Sequence, residues 1–352
     1  MRIVTWNIAW FDSLFDDEGR IRRDEGPGGL AGIGAGTQAR AIAQVLAALD
    51  ADAVMVIEAP DTRPAPPFAP QPPARETCAM LRRFAKTHHL RARHAVRGFL
   101  NGTQQEIAFL FDARALRATH DPQGPRRPAA TAPRFDGSYH PDPSVLPPEI
   151  GSPSEVRFSK PPLELAVTTA RGTRLRLIGV HIKSKAPHGA TSPEDAIRRS
   201  GRNGRLQLAQ ALWLRARIDA LLDRRQPLIV LGDLNDGPGR DVHEAALGLS
   251  TVELVLGEGQ PAARRLHDPH ARAVLDGAGP LPVSARFNRP DLVDDPTGLF
   301  PVLLDYIMVS PDLMARNPRW TLYDPETVAD PALAAALRQA SDHYPVALDI
   351  DL

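Results

Sequence analysis

Short apolar runs, interrupted by polar and proline-rich segments, recur along the whole chain. Most of them have the length of a strand rather than of a helix. Runs of this kind are typical of β-strands in a sheet that is covered on at least one face. They predict strands at residues 2–8, 53–57, 107–111, 163–168, 175–180, 227–231, 302–309 and 346–350.

Apolar residues three or four positions apart, the spacing of an amphipathic helix, occur between the strand candidates. They predict helices around residues 42–49, 76–88 and 211–221. Strand candidates lie both next to each other and on either side of a helix, which favours mixed sheets and an α/β (α+β) fold class. No internal repeat or linker divides the apolar segments, so we expect a single domain over residues 1–352.

Three segments lack either periodicity and are predicted to be loop insertions. They lie near residues 11–36, 119–157 and 257–300, and the middle one is rich in proline. Proline fixes φ and removes a backbone donor, so its repeated occurrence disfavours regular structure. We expect these insertions to shape the surface around a site.

Composition sets limits on the kind of protein. The 42 basic and 42 acidic residues give no net charge, so no overall field draws the chain to nucleic acid or to an anionic membrane. The single cysteine, Cys78, excludes an internal disulfide and a thiolate metal cluster. No apolar run reaches the ~18 residues of a membrane-spanning helix, and the N-terminus has no basic-then-apolar leader. We expect a soluble, cytoplasmic protein, and nothing in the sequence implies a protein partner.

The most informative polar residues follow the strand candidate at 227–231. In Gly232-Asp233-Leu234-Asn235, Asp233 and Asn235 stand two positions apart, and residues i and i+2 of an extended segment point to the same side. A carboxylate and a carboxamide therefore emerge together at a C-terminal strand edge, where open α/β sheets form their sites. Further polar residues at or beside strand candidates are Asn7, Glu58, His181, Asp305, Asp342 and His343.

This set consists of hard oxygen ligands and two histidines, without sulfur. Oxygen-rich sites favour Mg²⁺, Mn²⁺ or Ca²⁺ over Zn²⁺. Phosphodiester hydrolysis needs an in-line nucleophile, neutralisation of the non-bridging oxygens and a proton for the leaving group. A contact between Asp305 and His343 has a chemical purpose here, because a carboxylate fixes the tautomer of an imidazole and stabilises its cation.

Six short segments resemble the endonuclease/exonuclease/phosphatase (DNase I-like) superfamily, and they occur in its order. They are Thr5-Trp6-Asn7-Ile8, Val56-Ile57-Glu58, Gly179-Val180-His181-Ile182-Lys183-Ser184, Gly232-Asp233-Leu234-Asn235, Leu304-Asp305-Tyr306-Ile307 and Ser341-Asp342-His343-Tyr344-Pro345-Val346. Any one segment is weak, but six in order cover essentially the whole chain. The resemblance implies a four-layer sandwich, in which two mixed β-sheets pack face to face between helices, and a Mg²⁺ or Mn²⁺ cofactor.

The resemblance also implies roles, residue by residue. Glu58 is the expected principal metal carboxylate, with Asn7 and Asp342 in the metal shell. Asp233 and Asn235 are expected to orient or deprotonate the attacking water and to hold a phosphate oxygen. The remaining catalytic residues are an expected Asp–His pair and a second histidine, which are Asp305 with His343, and His181. The sequence leaves open whether His343, Asp233 or the metal itself generates hydroxide.

Two positions depart from the family pattern. Ile57 stands where many members carry Gln. Ala9 stands where exonuclease III-like members often carry Asp, so a second metal ligand on the first strand is missing and a single metal is favoured. In DNase I-like members a Glu supports the histidine equivalent to His181, and the candidates here are Glu106 and Gln105.

The segment from His181 to Lys185 and the string Asn203-Gly204-Arg205-Leu206-Gln207 are similar to bacterial extracellular nuclease-like members. Only four of the 42 basic residues are lysines, which favours Lys183 and Lys185 as phosphate contacts, with Arg205 as a third candidate. We predict a metal-dependent phosphodiesterase acting on nucleic acid. The alternatives are a phosphatase or sphingomyelinase-like hydrolase of a lipid or small phosphate ester, and a catalytically silent binding module.

Overall fold

The backbone is built from short strands and a few helices. The computed structural model describes residues 1–63, 75–126, 132–139, 156–239, 248–289, 293 and 297–352. In chain order, its strands are β1 (Arg2–Asn7), β2 (Ala53–Ala59), β3 (His94–Arg97), β4 (Glu106–Phe111), β5 (Leu116–His120), β6 (Ser138–Tyr139), β7 (Val156–Arg157), β8 (Leu163–Thr169), β9 (Arg174–His181), β10 (Leu228–Asp233), β11 (Ala285–Asn288), β12 (Leu299–Val302), β13 (Asp305–Val309), β14 (Arg319–Leu322) and β15 (Val346–Asp349).

The helices separate these strands. They are α1 (Ala35–Leu49), α2 (Thr77–Thr87), α3 (Pro193–Asp223), α4 (Thr251–Leu256), α5 (Pro269–Leu275) and α6 (Pro331–Ala340), with 3₁₀ turns at Phe11–Leu14, Ala262–Arg264 and Pro311–Arg316. None of the described helices combines the length and the apolar run needed to cross a membrane.

Most of the strands belong to two mixed sheets. The larger has the order β14-β15-β1-β2-β4-β3, and the smaller has the order β13-β10-β9-β8-β5. Each contains one parallel pair, β1 with β2 and β9 with β10, among antiparallel neighbours. The described residues add two short hairpins, β6 with β7 and β11 with β12.

Alternation along the strands produces three buried apolar layers. Ile3 and Met55 face the space between the sheets, where they pack with Leu177 and Ile229 of the other sheet. Neighbouring side chains such as Trp6 point outward and pack with α1, α2 and α6. On the far side, α3 and α4 cover the outer face of the smaller sheet. The predicted fold class, with two mixed sheets packed face to face and flanked by helices, is confirmed.

The helix predicted around residues 211–221 is much longer than its pattern indicates. It begins at Pro193, where the Ser192 hydroxyl accepts a hydrogen bond from the backbone of Asp195. Few residues before Gln207 are buried, so the first half has no apolar face to reveal it. The prediction was wrong in length because periodicity reports packing rather than helix formation.

Other strands and loops also differ from their predictions, because the apolar pattern reports packing rather than secondary structure. The predicted strand at 302–309 is two strands, because β12 pairs with β11 whereas β13 pairs with β10. The predicted loop at 257–300 contains α5, β11 and much of β12. The edge strands β3, β5 and β14 were not predicted, since edge strands are half-exposed and show little apolar pattern. Parts of the insertion at 119–157 lie outside the described residues.

Candidate active site

The pairing of three strands brings three predicted catalytic residues together. Asp233 at the end of β10 is the register partner of His181 on β9 and of Asp305 on β13. The larger sheet meets them at the same edge, since the amide of Asn7 on β1 donates to Asp233 Oδ2 over 3.0 Å. The site therefore spans the adjoining edges of both sheets.

The approach to Asp233 requires a glycine. Gly232 has φ 136°, and a Cβ at this position would lie 2.0 Å from the carbonyl oxygen of Val180 on the neighbouring strand. Any side chain here would push β10 away from β9. Gly232 therefore keeps Asp233 beside His181.

Asn235 reaches Asp233 by a different route from the one predicted. The prediction of an extended segment with alternating side chains is wrong, because β10 ends at Asp233 and Asn235 is left-handed with φ 49°. Asn tolerates this conformation and forms local turns with its own backbone. The Asn235 backbone donates to Asp233 Oδ1 (2.7 Å), and its amide donates to Asp233 Oδ2 (3.1 Å) and to the carbonyl of Ile182 (2.9 Å).

Asp305 and His343 form a buried pair, with His343 Nδ1 2.8 Å from Asp305 Oδ2. Ser284 holds the carboxylate by donating from its hydroxyl to the same oxygen over 2.9 Å. Burial lowers the pKa of His343, but the carboxylates of Asp305, Asp233 and Asp342 outweigh it and raise the pKa well above the ordinary value. These carboxylates therefore favour the protonated form of the imidazole.

His181 has the opposite environment. Burial lowers its pKa well below the ordinary value, and the positive charges of Lys160, His343 and Lys183 lower it further. Its Nε2 lies 3.6 Å from Asp233 Oδ2, and its buried Nδ1 has no hydrogen-bond partner among the described residues. One edge thus holds one neutral and one cationic imidazole.

The Asp233 carboxyl lies close to both imidazoles, those of His181 and His343. Burial raises its pKa to about 7, with Asp305 adding to the rise while His343, Asn235 and Asn7 oppose it. Carboxyl groups whose pKa lies near the working pH are suited to general base catalysis. The strongest perturbations thus coincide with the densest cluster of ionisable groups.

Glu58 sits in a bulge of β2, where the register shifts between Ile57 and Ala59 and the backbone is left-handed with φ 62°. A bulge re-aims one side chain without ending the strand. The Glu58 carboxylate accepts from the backbone of Trp10 over 2.9 Å. Burial raises the pKa of Glu58, and the nearby Asp342 raises it too, whereas Lys160 and His343 lower it.

The oxygen atoms around Glu58 fit a divalent cation. Asn7 directs its amide nitrogen to Asp233, which leaves its buried Oδ1 without a hydrogen-bond donor in the described part of the chain. The unpartnered amide oxygen of Asn7 and the carboxylates of Glu58 and Asp342 are hard donors. Such donors suit Mg²⁺ or Mn²⁺. Ligand atoms of Asp233, Asp305 and His343 also lie within 4.8 Å of one another. We favour the Glu58 side, because Asp305 Oδ2 already accepts hydrogen bonds from His343 and Ser284.

Two lysines belong to this cluster, and one of them was not predicted. Lys183 is half-buried and lies close enough to lower the pKa of both His181 and Lys160. Lys160, which precedes β8, interacts with the carboxylates of Glu58 and Asp233, while burial lowers its own pKa. The rarity of lysine in this arginine-rich chain was the only signal for Lys160 in the sequence, because Lys160 follows no predicted strand.

The other two predicted phosphate contacts are placed differently. Lys185 forms an ion pair with Asp236 at 2.7 Å. Arg205 is exposed on α3, whereas Gln207, two residues on, directs its amide to the Asn235 carbonyl. Residues two apart on a helix point to nearly opposite sides, so Arg205 faces away from Asn235, and its placement does not support a contact with the reacting phosphate.

Glu106 does not support His181 as a helper carboxylate. Its two oxygens accept from the backbone and the side-chain amide of Asn101, over 3.3 and 3.0 Å. Burial raises the pKa of Glu106 to about 7. Glu106 therefore belongs to a loop-anchoring contact. Gln105 is buried but forms no hydrogen bond with His181 either, because the Nδ1 of His181 has no partner among the described residues.

With this site in place, comparison with known proteins gives the class. The chain belongs to the endonuclease/exonuclease/phosphatase family, whose model, described as "Endonuclease/Exonuclease/phosphatase family", matches residues 4–343. Members of this family are hydrolases of phosphoester bonds and generally depend on a divalent metal. No curated protein matches the chain in sequence.

Solved structures share the fold. A D. rerio TDP2 humanized by 14 mutations is 13% identical and has a TM-score of 0.51; the alignment covers 100% of this chain and 99% of the TDP2 chain. A truncated Caenorhabditis elegans TDP2 is 13% identical, with coverages of 100% and 97% and a TM-score of 0.50. The 3′ phosphatase NExo from Neisseria, bound to product DNA hairpin, is 18% identical, with coverages of 100% and 100% and a TM-score of 0.49. At 13% identity the similarity to the two TDP2 structures shows the fold alone.

Proposed function

We propose that the protein is a Mg²⁺- or Mn²⁺-dependent phosphodiesterase that cleaves nucleic acid. The observation that carries the proposal is the meeting of a buried carboxyl, Asp233, and a buried imidazole, His343, whose ligand atoms lie within 4.8 Å of one another and of Asp305 at one edge of the two sheets. Burial raises the pKa of Asp233, and the neighbouring carboxylates raise that of His343. Such a pair separates base and acid within one site. Glu58 and Asn7 supply oxygen donors beside it.

Asp233 is the proposed base in this reaction. Asn7 and Asn235 hold its carboxylate by three hydrogen bonds, so that its oxygens have fixed directions. In this orientation Asp233 accepts the proton of a water that attacks phosphorus in line, while the bond from phosphorus to the leaving oxygen breaks and that oxygen takes a proton from His343. The charge that develops on the non-bridging oxygens is met by the His343 cation, which Asp305 and Ser284 keep in place.

Glu58, Asn7 and Asp342 are the proposed metal ligands. A divalent cation bound there polarises the phosphoryl oxygen and neutralises its charge. Lys160 and Lys183 add positive charge on the side of Glu58 and His181. We propose Lys183 and Lys160, rather than Lys185 and Arg205, as the phosphate-binding cations.

A panel of substrates tests the proposal. Purified protein is assayed with Mg²⁺, with Mn²⁺ and with EDTA on single- and double-stranded DNA, RNA, bis(p-nitrophenyl) phosphate, p-nitrophenyl phosphate and sphingomyelin. Metal-dependent cleavage of the nucleic acids and of the diester is expected, and Asp233→Ala, prepared identically, controls for contaminating nuclease. Cleavage of the monoester or of sphingomyelin alone would replace the proposal with the corresponding alternative. No hydrolysis by folded, metal-loaded protein would leave a binding module.

A further inference from the structure

Trp10 is a half-exposed tryptophan directly beside the candidate metal carboxylate. Its side chain is 49% exposed, whereas those of Trp6 and Trp213 are buried. Its backbone N–H donates to Glu58 Oε2 over 2.9 Å. The indole is therefore attached to a backbone that contacts Glu58, yet about half of the area of Trp10 is left in water, where its burial would be favourable.

The backbone of Trp10 is held in an unfavourable conformation. Its φ of 50° and ψ of 44° are left-handed, where the Cβ of a non-glycine residue crowds its carbonyl. Four hydrogen-bonded groups fix it there: Ala9 N–H to Ser341 Oγ, Gln38 Nε2–H to Ala9 O, Trp10 N–H to Glu58, and Ser13 N–H to Trp10 O. A strained backbone conformation that several surrounding contacts hold in place is characteristic of functional sites.

The adjoining loop is also shaped around Trp10. A Cβ on Gly29 would lie 2.9 Å from the Trp10 Cβ and 2.3 Å from the carbonyl oxygen of Ala9. The Gly29 N–H donates to Gln38, the residue that anchors Ala9. Only a residue without a side chain fits against the back of Trp10, so the loop supports it from behind and leaves the indole open to solvent.

We propose that the indole of Trp10 stacks on the nucleobase next to the scissile phosphate, and that Trp10 thereby determines specificity. The inference rests on the proposed function and deepens it, because it selects a phosphodiester that carries a flat aromatic base. A base is separated from its phosphate by one sugar, and the indole is separated from the backbone N–H that contacts Glu58 by one side chain. Aromatic side chains stack on any base, so selectivity is for the presence of a base and not for its identity.

A single ring suits a planar group better than a lipid surface. The other large apolar side chains exposed among the described residues are Leu100, Ile197, Leu281, Leu299 and Met314. They are spread along the chain from residue 100 to residue 314, whereas the backbone N–H of Trp10 contacts Glu58 of the candidate site. Membrane binding by an apolar patch needs contiguous area, which a lone tryptophan does not provide.

The first test uses the wild-type protein and a binding readout. Intrinsic tryptophan fluorescence is titrated, in EDTA to prevent turnover, with an oligothymidylate, with an abasic chain of the same length and with sphingomyelin vesicles. Quenching by the base-bearing chain but not by the abasic one is expected. An equal response to both chains, or a response to vesicles alone, would overturn the stacking proposal.

The second test uses variants and two small diesters. Trp10→Asn removes the ring and tolerates the left-handed backbone, Trp10→Phe keeps a smaller ring, and Met314→Ala is a control at a similarly exposed site away from the catalytic edge. For thymidine 5′-(p-nitrophenyl) phosphate, Trp10→Asn is expected to raise KM about 5- to 150-fold, the range that follows from losing one stack. For methyl p-nitrophenyl phosphate, which has no base, KM is expected to stay unchanged, with Trp10→Phe intermediate on the thymidine substrate.

These readouts separate the stacking proposal from the proposed function. Equal losses on both diesters, or none, would overturn the role of Trp10 while metal-dependent hydrolysis still stands. Base-dependent quenching without hydrolysis of any substrate would remove the phosphodiesterase and keep the stacking surface. If Trp10→Asn fails to fold, the wild-type titration and Trp10→Phe still decide the question.

Discussion

Two buried charged clusters lie on opposite sides of the smaller sheet, and they differ in the charges of their neighbours. At the catalytic edge, the carboxylate of Asp233 lies beside that of Asp305, which raises the pKa of Asp233. On the outer face, Glu164 of β8 faces Arg217 of α3, with Nε 3.2 Å from Oε1. Both clusters are almost fully buried.

The outer cluster works as an anchor. Arg217 also donates to the carbonyls of Gln123, Pro133 (3.1 Å) and Arg134 (3.3 Å). It thereby ties part of the insertion at 119–157 to α3. Burial raises the pKa of Glu164 to about 7, against the attraction of Arg217, so a shifted carboxyl pKa occurs here without a catalytic arrangement. A perturbed pKa alone therefore does not mark a functional site, since structural ion pairs also perturb pKa values.

The largest expected effect comes from Asp233→Asn, which removes the proposed base and keeps the shape. We expect kcat on bis(p-nitrophenyl) phosphate to fall by about 10²–10⁴-fold. The free energy of unfolding should fall by about 1–3 kcal/mol, because both oxygens of Asp233 accept hydrogen bonds and the amide nitrogen that replaces one of them cannot. Glu164→Gln, the matched change in the outer cluster, should leave kcat intact. Full activity in Asp233→Asn would contradict the assignment of the base.

Arg217→Ala should act on stability instead of catalysis. It leaves Glu164 buried without its partner, and breaking a buried ion pair in this way costs about 3–5 kcal/mol of unfolding free energy. Urea denaturation measures the loss, and kcat per folded molecule is expected to stay constant. The exposed Arg117→Ala is the control. A loss as small as that of Arg117→Ala would refute the anchoring role.

The pH dependence of stability should expose the Glu164 carboxyl. Its pKa is raised from 4.5 to about 7 in the folded protein, so the folded state binds more protons than the unfolded state between these values. The stabilising contribution of the protonated Glu164 carboxyl to the free energy of unfolding is fully present below about pH 4.5 and is lost as pH rises towards 7. Relative to wild type, Glu164→Gln should gain on the order of 1–3 kcal/mol across this window. Parallel stability curves for the two proteins would rule this out.

The smallest effect is expected from Lys160→Met, because the lysine assists through charge and other cations remain. A reduction of kcat/KM by about 10- to 100-fold is expected, with Lys160→Arg partly active. Lys86→Met, on the exposed face of α2, is the control and should match wild type. If the two methionine variants behave alike, Lys160 is not part of the site.

The sequence predicted the site in its order but not in its geometry. Asn7, Glu58, His181, Asp233, Asp305 and His343 converge at one edge, because each was read from the end or start of a strand whose apolar core specifies its place in a sheet. The roles assigned to these residues remain predictions. Lys160 escaped notice because it stands in a segment without regular structure, where periodicity carries no information.

The local conformations depended on contacts that a linear pattern does not contain. The bulge at Glu58 and the left-handed turn at Asn235 deviate from the extended backbone predicted for them, and the left-handed backbone of Trp10 lies outside any predicted strand.

Apolar runs and helical spacing thus predicted the α/β class of fold and the succession of most strands, since burial of side chains leaves such runs in the sequence. The resemblance to the family implied the face-to-face sandwich, and the hard oxygen ligands near the strand ends are explicit in the sequence itself. Only the tertiary structure decided which charges became neighbours. The pKa of about 7 at Asp233, the cationic state of His343 and the neutral state of His181 arise from burial and from contacts between residues as distant in sequence as Asn7 and Asp233. Electrostatic environment depends on distances in space, which no local pattern along the chain encodes.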